Sequence, residues 1–366
     1  MDLWTLAAQK KMELEMKKSE DLKDPSKQLK ADAEIPHRER TIIICGDKSA
    51  GKTTIINRFL ERAENSKPTI ALEYAYGRRT RGTQKDLVHI WELGGGTSLI
   101  NLLEIPLNTA KLETTSIIIV LDMSNIESIW STFHDLIKVT RKIITDISDQ
   151  MKIKTANPFQ PLPAISNQFL NHKDASLINL FPIPLIVVGS KYDIFQNYEP
   201  ETKKNACKYL RYMAHSNGAT LQMFSNKMEN TVLKMRAQFG YLAFGANAGR
   251  TIVTDHNKPI YILAGKDSFS VCLYFSDIGP PPNVSFLTPK VPNRNVPELW
   301  SSSFESQFPK KKETEKEQKG DAATEKQFQD PDIDAVVEQK TKIHMVYLSY
   351  LRPEVMKRFI LNSVLT

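Results

Sequence analysis

Long apolar runs, cysteines and charge of a single sign are all scarce in this chain of 366 residues. No stretch approaches the ~18 apolar residues that cross a bilayer. The longest, Ile117 to Leu121 with its neighbours, is the length of one strand, so no membrane span is expected. The 3 cysteines, Cys45, Cys207 and Cys272, are odd in number, far apart and without metal-ligand spacing. That excludes a disulfide scaffold and points to a reducing, intracellular address. The opening MDLWTLAAQKKMELEMKKSED carries acids and ends in a charge run, unlike a secretory signal. Asp2 stands where myristoylation needs glycine. Lys and Arg number 49 against 42 Asp and Glu, a net charge of +7, but they are dispersed. The densest cluster, Lys310 to Lys312, runs straight into Glu313, Glu315 and Glu317, the pattern of a mixed solvated linker. Without basic and aromatic residues interleaved, nucleic acid is not an expected partner. No Ser, Cys or Asp constellation collects around the 7 histidines. Nucleophilic catalysis and zinc chemistry are therefore not expected; His89 reads as a buried strand histidine, and His215 and His256 fall beside turns.

What the chain does have is 41% hydrophobic residues in an order that alternates strand and helix. Residues 1–40 read as a helix, over 2–23, and a polar link containing proline. Strands are expected at Thr41 to Cys45, Ile70 to Tyr76, Leu87 to Leu93, Ser116 to Asp122, Leu185 to Gly189 and Ala219 to Phe224. The second and third bracket a basic turn, GRRTRG. Helices are expected at Lys52 to Glu64, from Ser124 to about Ile147 with Ser124 and Glu127 as a capping box, at Pro200 to His215 stopped by Gly218, and at Thr231 to Ala243. Such alternation predicts an α/β domain over 41–299, a mostly parallel sheet with helices on both faces. An edge insertion rich in Pro and Asn is expected at about 148–184, a disordered linker at 300–330 and an amphipathic helical tail at 331–366. The tail's apolar stripe needs cover, from its own domain or from another chain.

Between the first strand and the first helix lies Gly46-Asp47-Lys48-Ser49-Ala50-Gly51-Lys52-Thr53-Thr54, which fits the phosphate-loop pattern G-x-x-x-x-G-K-[ST] at every fixed position. Glycines let the backbone curl so that N–H groups face phosphate oxygens, and the helix start adds its positive dipole. Lys52 is positioned to reach the β/γ-phosphates and Thr53 to ligate Mg²⁺. Ser190-Lys191-Tyr192-Asp193 resembles the N-K-x-D guanine motif of Ras-like GTPases, with Ser190 in place of Asn. A carboxylate at Asp193 can accept both guanine donors, which adenine lacks. Ser225-Asn226-Lys227, again after a strand, resembles the S-A-K element of the same proteins. The expected ligand is GTP or GDP with Mg²⁺.

Hydrolysis is not expected. Trp91-Glu92-Leu93-Gly94-Gly95-Gly96 resembles the W-D-x-G-G-Q segment of Arf-like GTPases, but Glu92 replaces the metal-supporting Asp and Gly96 the water-orienting Gln. Because phosphoryl transfer is mostly positioning and electrostatics, a glycine there leaves the attacking water unheld. Thr80 and Thr83 are candidates for the switch threonine, and Asp122 for a Walker-B aspartate in an ATPase reading.

The strings ICGDKSAGKTTIINRFL, LEYAYGRR, WELGGG, SKYD and DHNKPIYILAGKDSFS, with the MDLWTLAA opening, resemble the dynein light intermediate chain family, most closely its ciliary dynein-2 branch. The resemblance implies a Ras-like P-loop fold in a non-catalytic accessory subunit that holds the dynein-2 heavy-chain tail beside other dynein-2 subunits. It implies retrograde intraflagellar transport, cilium assembly and length control, with microtubules and transport trains as indirect partners. The implied location is cytoplasm, cilium with axoneme and basal body, and centrosome. An active GTPase switch in a trafficking pathway is the alternative.

Overall fold

The computed structural model describes residues 39–62, 67–81, 84–109, 112–155, 169, 171–246, 249, 251–269, 278–282 and 296–309, with 335, 336, 338–340 and 342 in a separate tail unit. The helix expected at 2–23 and the linker beyond residue 309 lie outside the described residues.

A seven-stranded sheet organises the domain, in the order β2-β3-β1-β4-β5-β6-β7. Its strands are β1 (Glu39–Gly46), β2 (Leu72–Arg81), β3 (Gln84–Leu93), β4 (Thr115–Asp122), β5 (Leu185–Ser190), β6 (Thr220–Met223) and β7 (Tyr261–Ile262). From β3 through β6 all pairs are parallel, while β2 and β7 close the two edges antiparallel. Apolar β-branched residues fill the central strands because both faces are covered. Ile43, Cys45, Ile117, Ile119 and Val187 point to one layer and Ile42, Ile44, Ile118, Val120 and Val188 to the other. The first layer is α3 (Ile126–Thr155) and α5 (Pro200–Ser216), which follow α1 (Lys52–Leu60) and α2 (Glu104–Thr109) in the chain. The second layer is α1 with α6 (Glu229–Phe244), where Ile55 and Ile56 meet Val232, Met235 and Phe239. A single turn, α4 (Tyr192–Phe195), precedes α5, and α7 (Val296–Gln307) ends the domain. The chain leaves β1 toward β3 on one side and later returns to β4 on the other. The carboxyl end of β1 is thus the topological switch point where such sheets bind ligands.

Four expectations are corrected. GRRTRG is not a turn: β2 runs through Arg81, with Gly77 packed on Val88 and Leu60, and Arg79 lying over the Phe244 ring at 5.6 Å. Ser124 does not cap α3, which starts at Ile126; its hydroxyl donates to Asp122 Oδ1 at 2.6 Å. The expected insertion begins too early, since α3 continues to Thr155, and Phe181 and Ile183 from its far end are core residues. Residues 300–309 are not a linker. Trp300 and Phe304, spaced i and i+4 on α7, are each 2% exposed, and Trp300 stacks on Tyr212 at 4.1 Å. In the tail, residues 335, 336, 338–340 and 342 are helical.

Candidate nucleotide site

The loop after β1 has the backbone that its glycines allow. Gly46 (φ 147°) passes so close to β4 that an added Cβ would sit 1.9 Å from Val120 O. Ser49 (φ 59°) and Gly51 (φ 87°) are left-handed and turn the chain into α1. Asp47 anchors the loop to the sheet. Its N–H donates to Val120 O (3.2 Å), and its carboxylate accepts from Thr132 Oγ1 (2.6 Å) and the Asp122 N–H (3.3 Å). Desolvation raises the Asp47 pKa. Ala50 is fully buried and donates its N–H to Asp47 O at 3.3 Å. Lys48 and Ser49 are exposed on the rim, and Thr54 follows in the first turn of α1. The Lys52 ammonium arches over the loop onto Gly46 O (3.3 Å) and Asp47 O (2.7 Å). An ammonium has three donors, so this posture leaves one for a ligand. The set of donors suits a polyphosphate: a curled backbone, a helix start and a cation in one small arc.

At the metal end of the loop, Thr53 Oγ1 donates to Glu92 Oε1 at 2.8 Å and lies 3.5 Å from Thr69 Oγ1. Thr69 in turn donates to Glu73 Oε2 at 3.1 Å. Glu92 is 3% exposed, and burial raises its pKa against the opposing pull of Thr53 and Lys52. Thr53 and Glu92 are therefore brought together as the sequence suggested. Thr80 is not. It pairs with Lys85 at the outer end of the hairpin, roughly 25 Å along the strand from Leu72; Thr83 lies outside the described residues. Thr69, just ahead of β2, holds the place instead, and no motif marked it.

The glycine run explains itself by contact. An added Cβ on Gly94 would lie 2.2 Å from Thr69 O, and the Gly94 N–H donates to Ala71 O at 2.6 Å, extending the β2–β3 ladder. Gly95 and Gly96 are left-handed, at φ 69° and 65°. Gly96 rests on the loop itself, its missing Cβ 3.4 Å from the Lys48 backbone nitrogen. The segments before β2 and after β3 are thus bonded to each other and to Thr53.

Beyond β5 and β6 the residues picked for a base also converge. Asp193 accepts from Ser225 Oγ (2.8 Å) and pairs with Lys227 Nζ (2.8 Å), and the Lys227 hydrogen bond leads the causes that lower its pKa. Lys191, left-handed at φ 55°, turns its ammonium onto Asp122 Oδ2 at 2.5 Å. Asp122 also takes the Ser124 N–H and hydroxyl on Oδ1, so its carboxylate serves this turn rather than Thr53. Asn226 faces α1, accepting from Arg58 through its side chain (2.6 Å) and carbonyl (3.4 Å). Ser190 donates to Leu121 O inside the sheet, at 3.0 Å.

Sheet order, loop and strand-end residues together define a P-loop domain of the GTPase type. Comparison with known proteins narrows this further. Residues 26–176 match the family described as dynein light intermediate chain (DLIC). Cytoplasmic dynein 2 light intermediate chain 1 of Bos taurus is 41% identical over 306 residues, 82% of this chain and 85% of that one. Its Danio rerio counterpart is 38% identical over 342 residues, 92% of each. The chain belongs to the dynein light intermediate chain family. A crystal structure of the dynein light intermediate chain's conserved domain, 14% identical, covers 81% of this chain and all of that one with a TM-score of 0.48.

Proposed function

We propose that this chain is a non-catalytic accessory subunit of cytoplasmic dynein-2, binding and stabilising the heavy-chain tail among the other subunits. In that role it serves retrograde intraflagellar transport, cilium assembly and cilium length control. It acts in cytoplasm, at centrosome and basal body and along the axoneme, reaching microtubules and transport trains through the motor. The relatives' names support the complex. The carrying observation for a non-switching subunit is the clasp formed by Thr53, Glu92, Thr69 and the Gly94 N–H. In a switch, the segments flanking β2 and β3 are released or ordered by the γ-phosphate; here they are tied to one another by protein groups.

The site's ligand, on this reading, is GTP or GDP with Mg²⁺, kept as part of the fold. Residues Gly46 to Thr54 would cradle the phosphates, Thr53 and Glu92 the metal, and Lys191, Asp193, Ser225, Asn226 and Lys227 the guanine. The metal would neutralise phosphate charge, and nothing at Gly96 would orient water for attack. An active trafficking switch is the weaker reading for the same reason. Reconstitution of the full chain with a dynein-2 heavy-chain tail, loaded with GDP or a non-hydrolysable GTP analogue, tests the proposal. Association equal in both states is expected. Association that follows the nucleotide state would mean a switch, and none in either state would remove the subunit role.

A further inference from the structure

Sequence spacing hides a second polar cluster, far from the loop in the chain. His172 and Asp174 come from the segment after α3, His215 from the last turn of α5. His215 Nε2 lies 3.0 Å from Asp174 Oδ2, His172 Nδ1 lies 4.0 Å from that same oxygen, and all three ligand atoms fall within 4.8 Å of one another. The side chains of His215 and Asp174 are 1% and 8% exposed, and that of His172 is 14% exposed, which leaves a route in from solvent.

We propose that His172, Asp174 and His215 form a binding site for a single zinc-class transition-metal ion. Two imidazoles and one carboxylate are a donor set for such ions rather than for Mg²⁺ or Ca²⁺, which prefer all-oxygen shells. In a tetrahedral site with bonds of about 2.0–2.1 Å, ligand atoms stand about 3.3 Å apart. The closest pair, at 3.0 Å, has only to part slightly, and His172, at 4.0 Å, must swing inward. The support around the ligands is of the kind metal sites carry. His172 Nε2 faces Asp267 O at 3.1 Å, the tautomer that leaves the Nδ1 lone pair toward the cluster. Asp267 is itself fixed by Arg211 through bonds of 2.9 and 2.5 Å. The Phe269 N–H donates to Asp174 Oδ2 at 2.8 Å. Two hydrogen bonds have to yield. One is Asp174 N–H to His172 Nδ1 at 3.2 Å. The other is His215 Nε2–H to Asp174 Oδ2 at 3.0 Å, whose proton is released to solvent, with the neutral ring protonated on Nδ1, so that the Nε2 lone pair faces the ion. An ion here would join two segments far apart in the chain, so binding would also favour the folded state.

The experiment uses the full chain, stripped with chelator and dialysed, with zinc or cobalt alone as probe and no nucleotide. Expected are one tightly held zinc per chain by elemental mass spectrometry and a cobalt visible absorption of tetrahedral strength without thiolate bands. His172→Gln should bind at least tenfold more weakly, and zinc should raise the melting temperature of the native chain but not of this variant. Asp174→Asn is a second probe, with the same weakening expected, should His172→Gln fail to fold. Absence of bound zinc and of the cobalt band, or equal binding by His172→Gln, would overturn the site and leave a hydrogen-bonded staple.

Discussion

Glu92 shows how one buried side chain can make the fold respond to pH. Its carboxyl is buried, and burial lifts its pKa above the ordinary 4.5 despite Thr53 and Lys52. The folded protein therefore keeps this proton at a pH where the unfolded chain has released it. The resulting stability is full below about pH 4.5 and is lost as pH rises through the folded pKa. Asp47 acts in the same sense. Glu92→Gln keeps an acceptor for Thr53 without the buried charge. Melting curves of the chain freed of nucleotide and metal, from pH 4 to 8, should show it losing stability toward neutrality relative to this variant; parallel curves would refute the assignment. Gly94 offers a second test. Alanine there meets Thr69 O at 2.2 Å, so Gly94→Ala should destabilise by about 1–3 kcal/mol in denaturant unfolding. A change within experimental error would mean that the clasp yields freely.

Among elements, the parallel strands were legible because covered strands must be apolar throughout, as in Ser116 to Asp122. β2 was half legible. As an edge strand it exposes one rim to solvent and tolerates Arg78 and Arg79, which in sequence look like a turn. α7 was missed because serines dilute its apolar face, although Trp300 and Phe304 at i and i+4 carried the signal. That face completes an aromatic cluster with Trp130, Tyr209 and Tyr212. Trp300→Ala should therefore cost about 3–5 kcal/mol. Urea unfolding with a loss below about 1 kcal/mol would show that α7 is dispensable. The loop residues Gly46 to Thr54 were fully legible, since their chemistry is local in sequence. Thr69 and the cluster of His172, Asp174 and His215 were not, because each depends on segments that only the folded chain brings together.

At the scale of the whole molecule, a loop with the full phosphate-loop sequence lies beside two flanking segments that are bonded to each other and to Thr53. Thr69, Glu92 and Gly94 tie those segments together through protein groups, and Gly96 brings no side chain to an attacking water. The most direct measurement is mass-spectrometric identification of the small molecule that leaves the purified, heat-denatured full chain, paired with phosphate release from the native chain. The account expects a guanine nucleotide and no multiple turnovers. An adenine nucleotide, no nucleotide even after incubation with GTP or GDP, or sustained unaided GTP cleavage would contradict it.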